Sequence, residues 1–175
     1  MILAETQSMK AKLNIRWSVL PILALGLGCA STAARHPQAK ATVVGVLEQR
    51  ETAGKGAKVA WNAQSLVEAD FDQDGVPDYA VRGTAKDRVI VGIVRGPLVA
   101  GSPAWTLEFP VKGGGEDALC SPDARIALEP LNDESKTLAE HRTAKGTGIN
   151  LHDDKCDAFH IFWNPEKKKF EWWRL

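Results

Sequence analysis

The stretch Asp70-Phe71-Asp72-Gln73-Asp74-Gly75-Val76-Pro77-Asp78 has the residue types and spacing that most directly imply chemistry. Carboxylates at alternating positions, closed by a glycine that permits a sharp turn, aim their oxygens at one point. A hard cation such as calcium takes six to eight such oxygens at about 2.3–2.6 Å. The pattern assigns side-chain ligands to Asp70, Asp72 and Asp74, a backbone carbonyl to Val76, and a side-chain or water-mediated contact to Asp78. Turn formation alone favours aspartate and glycine. It does not require four carboxylates in this register, which repel one another without a counter-charge. A closed cage pins a turn, whereas a catalytic metal needs an open position and a poised base, so the expected calcium is structural.

Other reactive groups are less ordered in sequence. His141, His152 and His160 show no H-E-x-x-H spacing, and no G-x-S-x-G elbow accompanies them, so they read as surface or core residues and no catalytic residue is assigned. Gly113-Gly114-Gly115 is a loop without the Lys-Ser/Thr of a phosphate cradle. Of the three cysteines, Cys29 lies in the N-terminal segment, which leaves Cys120 and Cys156 as an even pair. In an oxidising compartment they read as one disulfide. A loop of that length stabilises the fold by roughly 4 kcal/mol in the chain-entropy model.

The elements that would position these groups are short. A β-branched run begins near Thr42 with Val43, Val44, Val46 and Leu47. Strand candidates follow at Lys58–Trp61, Tyr79–Gly83, Arg88–Arg95, Trp105–Phe109, Arg125–Leu131, Gly148–His152, Ala158–Trp163 and Phe170–Leu175, separated by Gly, Pro, Asp or Asn. Val89 to Val94 is continuously apolar and predicts a central strand covered on both faces, with Thr84–Asp87 as the hairpin loop before it. Ser135–Arg142 predicts a short helix with Asp133 as its N-cap. The expected fold is mainly β: a small antiparallel domain, meander or sandwich and not a full propeller, with at most one short helix.

The aspartate loop starts like an EF-hand but does not end like one, because Val81 stands where the bidentate glutamate belongs and the flanks read as strands. Asp70 to Val81 resembles the calcium-binding hairpin loops of the FG-GAP/VCBS family, whose repeats carry Asp-x-Asp-x-Asp-Gly-x-x-Asp followed by a strand. The resemblance covers this loop and the strands beside it. It implies a calcium-bearing hairpin; a chain with one such loop is too short for a propeller of several four-stranded blades.

At the N-terminus, Lys10, Lys12 and Arg16 precede an apolar stretch from Trp17 to Gly28, a charged region followed by a hydrophobic one of signal-peptide length and too short to span a bilayer. Residues 1–28 are therefore expected to be a signal peptide, with Met9 as the natural start. Leu25-Gly26-Leu27-Gly28-Cys29 resembles the lipobox of bacterial lipoproteins, which implies lipid on Cys29 and, with Ala30 following it, the outer-membrane-directed class. Two or more acyl chains suffice for stable anchoring. Ser31-Thr32-Ala33-Ala34 has the small-residue spacing of ordinary signal cleavage and leaves a soluble periplasmic or secreted form open. Residues 29–41, small and polar, read as a flexible tether, and 42–175 as one β-rich domain.

Across 175 residues the formal net charge is zero, which argues against a nucleic-acid partner. The C-terminal region is rich in aromatic residues. Period two places Phe159, Ile161 and Trp163 on one face and His160 and Phe162 on the other. Core filling accounts for most of these rings. Phe162, Trp172 and Trp173 are the candidate surface for a protein or carbohydrate ligand. The function these features imply is an exported, lipid-anchored cell-envelope protein with a calcium-stabilised β domain and a non-catalytic binding or structural role. A small periplasmic hydrolase, or an enzyme inhibitor presenting a loop such as Lys112–Asp117, are the alternatives.

Overall fold

The computed structural model describes residues 35–53, 58–111, 115, 118–131 and 145–174. Within them, two antiparallel meanders follow one another along the chain. Strands β1 (Ala60–Ala69), β2 (Asp78–Ala85), β3 (Arg88–Val94) and β4 (Ala104–Pro110) form the first four-stranded sheet in chain order. Strands β5 (Arg125–Leu131), β6 (Gly146–His152), β7 (Phe159–Asn164) and β8 (Lys169–Arg174) form the second. Their inner faces share one core, in which Ala80, Val89, Val91, Ile93 and Phe109 meet Ile149, Leu151, Phe159, Ile161 and Phe170. This is the mainly β fold expected, built as a two-sheet sandwich.

The continuous apolar run of β3 is explained by its two covers. Val89, Val91 and Ile93 face the second sheet. The opposite face lies under α1 (Arg35–Ala53), where Val43 and Leu47 pack with Val81, Val94 and Ala104. Gly92 is the position that lets the cover close. A Cβ there would stand 2.6 Å from Leu47 Cδ1 and 2.8 Å from Trp61 Cη2, both inside van der Waals contact.

Helix α1 corrects the sequence reading at two points: residues 35–41 of the expected tether are helical, and so is the β-branched run that was expected to open the first strand. Val43 and Leu47 are four residues apart, on one helical face, and both are buried against the sheet. Tertiary burial of that pair outweighs the weak strand preference of the valines. Strand β1 is also longer than the predicted Lys58–Trp61. Its register against β2 shifts between Asn62 and Val67. In the bulge, Ser65 Oγ accepts the Arg82 N–H at 2.8 Å in place of a ladder carbonyl.

In the second sheet the period-two reading holds. Phe159 and Ile161 are buried in the shared core with Trp163 against it, while Phe162 turns to the other face with Leu131 and Trp173. The β7–β8 turn is held by the buried Asn164, whose Oδ1 accepts the N–H groups of Glu166 and Lys167 and whose Nδ2 donates to Glu171 Oε2 at 2.7 Å. On the same turn the exposed Lys167 and Lys169 reach Glu171 Oε1 at 2.8 and 3.0 Å.

The Lys167 ammonium, together with Asn164 and Lys169, overcomes partial desolvation and lowers the Glu171 carboxyl from its usual 4.5 to about 2. Because the folded value is depressed, the stabilisation is complete above about pH 4.5 and is lost as the pH falls through about 2. Carboxyl NMR titration should give Glu171 a midpoint near 2, and Lys167→Met should move it upward; a midpoint above 4 in the parent protein would remove this contribution.

Candidate metal centre

The loop between β1 and β2 is built outward from a core residue. Phe71 is buried and meets Phe170 edge-on, with ring centroids 6.4 Å apart. Gln73 and Gly75 adopt positive φ, 62° and 85°, which folds the aspartates back over Phe71. Asp70 accepts the N–H groups of Asp74 (3.1 Å) and Gly75 (2.9 Å). Asp78 is buried, and its two oxygens take three backbone N–H groups: Phe71 at 3.0 Å, Asp72 at 3.3 Å and Gly96 at 3.0 Å. At the tip, Gln73 Nε2 donates to the Lys145 carbonyl at 2.9 Å, just before β6, so the loop touches both sheets.

One carboxylate oxygen from each of Asp70, Asp72 and Asp78 lies within 4.8 Å of the other two. Two oxygens bound to the same calcium are at most about 5 Å apart, so the three fit one ion. Asp74 is turned elsewhere. Its Oδ1 accepts the Val76 N–H at 2.8 Å and its Oδ2 pairs with Arg95 Nη2 at 2.7 Å. Val76 meets the site through that N–H. Of the five predicted ligands, the geometry thus gathers three.

Arg95 is the residue the sequence reading missed. It follows β3 directly, and the register that pairs Tyr79 with Val94 sets it beside Asp78. Its Nε also pairs with Asp72 Oδ2 at 2.6 Å. The signal was a lone arginine ending an apolar strand next to a strand that emerges from four carboxylates. Burial pushes the Asp72 carboxyl up, more than Arg95 pulls it down, and burial likewise pushes Asp78 up against its N–H bonds. The Val76 N–H and Arg95 hold Asp74 below the usual range, while Asp74 and Asp72 raise Arg95. One guanidinium leaves Asp72 and Asp78 under-compensated, an environment that a divalent cation would relieve.

The other predicted site residues are placed as follows. Cys120 and Cys156 are joined, with Cα atoms 6.0 Å apart. The candidate ligand surface is corrected. Phe162 and Trp173 are buried together beside Leu131, because alternation along β7 and β8 turns them to the same covered face. Trp172 is 38% exposed, with its ring against Phe109 and Phe159 at the sandwich edge. His160 lies flat on Trp173 and its Nδ1 pairs with Glu129 at 2.9 Å; His152 Nδ1 pairs with Asp154 at the same distance. Among the described residues no hydroxyl or thiol hydrogen-bonds to either ring. Cys29, His141, the Ser135–Arg142 helix and all of the Lys112–Asp117 loop but Gly115 lie outside the described residues.

Two further features were not expected. Asp153 is buried and takes four backbone N–H groups, including those of both bonded cysteines. A cavity of 670 Å³ lies between α1 and the first sheet, lined by Arg50, Glu51, Arg88, Ile90 and Glu108 among others; none of the predicted site residues borders it.

Comparison with protein-family models, with curated proteins and with solved structures finds no match. Among the described residues no helix is long and apolar enough to cross a membrane.

Proposed function

We propose that this chain is an exported, lipid-anchored cell-envelope protein whose β-sandwich is braced by calcium at the Asp70–Asp78 loop and serves as a non-catalytic binding or structural module. The observation that carries the reading is the convergence of Asp70, Asp72 and Asp78 within 4.8 Å of one another. The loop bearing them buries Phe71 in the shared core and reaches the carbonyl before β6 through Gln73. An ion there would hold the first sheet's loop against both sheets, which is a structural task. The export and lipid components rest on the sequence of residues 9–30.

Thermal unfolding of the full chain with and without calcium tests the metal. At a free calcium concentration about a hundred times Kd, the expected gain is about 2.7 kcal/mol. Asp70→Asn and Asp72→Asn together should abolish it while leaving the calcium-free protein folded. A melting temperature indifferent to calcium in the parent protein removes the metal. The anchor is checked separately: protein extracted from membranes should carry lipid mass on Cys29, and an unlipidated mature start near Ala34 would replace the anchor with a soluble form.

A further inference from the structure

The Cys120–Cys156 bond lies over a second, non-covalent crosslink between the same two segments. Asp153 Oδ2 accepts the N–H groups of Cys120 (2.6 Å) and Ser121 (2.8 Å), and Oδ1 those of Lys155 and Cys156 (3.0 Å each). The chain leading into Cys120 is fixed from both sides as well. Leu119 N–H donates to the Pro110 carbonyl at 2.8 Å, Val111 bridges Leu119, and Arg174 Nη1 donates to the Ala118 carbonyl at 2.8 Å. None of these contacts uses a sulfur atom. Cys120 is exposed and Cys156 half-buried, so solvent reaches the pair from the Cys120 side, while Ser121 next to it is buried in the clamp.

We propose that Cys120–Cys156 is a reversible thiol–disulfide exchange site, opened by a dithiol reductant at Cys120 and reclosed in place because Asp153 holds both cysteine backbones in register in the open form. In the opening step a thiolate of the dithiol attacks Cys120 Sγ. The protein's sulfur–sulfur bond breaks, and its electron pair leaves on Cys156 Sγ, which takes up a proton. The second thiol of the reagent, deprotonated, then attacks its partner sulfur in the mixed disulfide and releases the Cys120 thiolate, which is protonated in turn. The dithiol is oxidised by two electrons to its disulfide, and the protein gains two electrons and two protons as two thiols. Reclosure by a disulfide oxidant reverses the sequence. Its second step is intramolecular, and the clamp keeps one thiol at high effective concentration near the other.

The test uses the full chain, with dithiothreitol as reductant and oxidised glutathione as oxidant, both in native buffer. Thiol mapping should find Cys120 and Cys156 free after reduction, with the amides of Cys120, Ser121, Lys155 and Cys156 still protected from hydrogen exchange. Glutathione should then restore the same pair, and Asp153→Asn should slow that reclosure by at least about tenfold. Reduction that succeeds only in denaturant, loss of protection at those amides on reduction, or equal reclosure rates in the folded variant would each overturn the proposal. If Asp153→Asn does not fold, the exchange pattern of the reduced parent protein decides alone.

Discussion

Replacing Asp153 by alanine is expected to lower the free energy of unfolding by about 4 kcal/mol, a fall in melting temperature on the order of 15 °C for a domain of this size. The carboxylate is buried and makes no ion pair among the described residues; its partners there are the backbone N–H groups of Cys120, Ser121, Lys155 and Cys156. Burial pushes its carboxyl up, but those four N–H groups together outweigh burial and hold it below the usual range. A hydrogen bond to a charged group is worth about 1.5–3 kcal/mol, and neighbouring bonds do not add fully. Alanine leaves four donors without their acceptor. Cys120 is exposed, whereas Ser121 is buried, so water compensates only part of the loss. Asparagine is the sharper variant, since it keeps the shape but turns an amide NH2 toward two of the N–H donors. Since the folded carboxyl is depressed, this stabilisation is present above the ordinary carboxylate range and fades as the pH falls through it toward the folded value. Urea unfolding of parent and variant at neutral pH decides the matter; a difference under about 1 kcal/mol would show that the loops are held by the disulfide and the core alone.

Asp153 also shows where sequence reasoning stops. Its partners come from two loops separated by more than thirty residues, and nothing in His152-Asp153-Asp154 distinguishes the clamping aspartate from its neighbour. What was legible was local. Strands β2 to β8 fall within a few residues of their predicted bounds, because Gly, Pro, Asp or Asn punctuates each one and their branched and aromatic residues alternate. The continuous run of β3 announced a two-sided burial, and the structure supplies a sheet on one side and a helix on the other. The identity of that second cover was hidden, because Val43, Val44, Val46 and Leu47 score as a strand locally and become helical only through what Val43 and Leu47 bury. The bulge in β1 broke the alternation that would have shown the strand's full length. For the metal centre, the sequence named the loop and the three converging carboxylates. It did not show that Asp74 is diverted to Arg95, because that pairing depends on the register between β2 and β3.

Asp78→Ala should destabilise the protein by about 3 kcal/mol in EDTA and by more in calcium, where it also removes a ligand, whereas Asp70→Asn should cost little in EDTA and remove mainly the calcium-dependent gain. The difference follows from what each carboxylate does without an ion. Asp78 closes the base of the loop onto Phe71, Asp72 and Gly96, and the Phe71 and Gly96 N–H groups lie in buried residues. The Gly96 end of this clasp has no slack: a Cβ there would stand 2.1 Å from the Pro77 carbonyl oxygen. Asp70 accepts its two N–H groups at the exposed outer turn, where water can replace it. Chemical unfolding of both variants, with EDTA and with saturating calcium, separates the clasp from the ligand. A loss under about 1 kcal/mol for Asp78→Ala in EDTA would mean that the loop is not clasped without metal, and that any order it gains comes from the ion. The distinction bears on affinity. A loop held by Phe71, Asp78 and Gln73 has already lost most of its conformational freedom, so little of the cation's binding free energy goes into ordering the chain. A loop that folds only around its ion would bind more weakly with the same carboxylates.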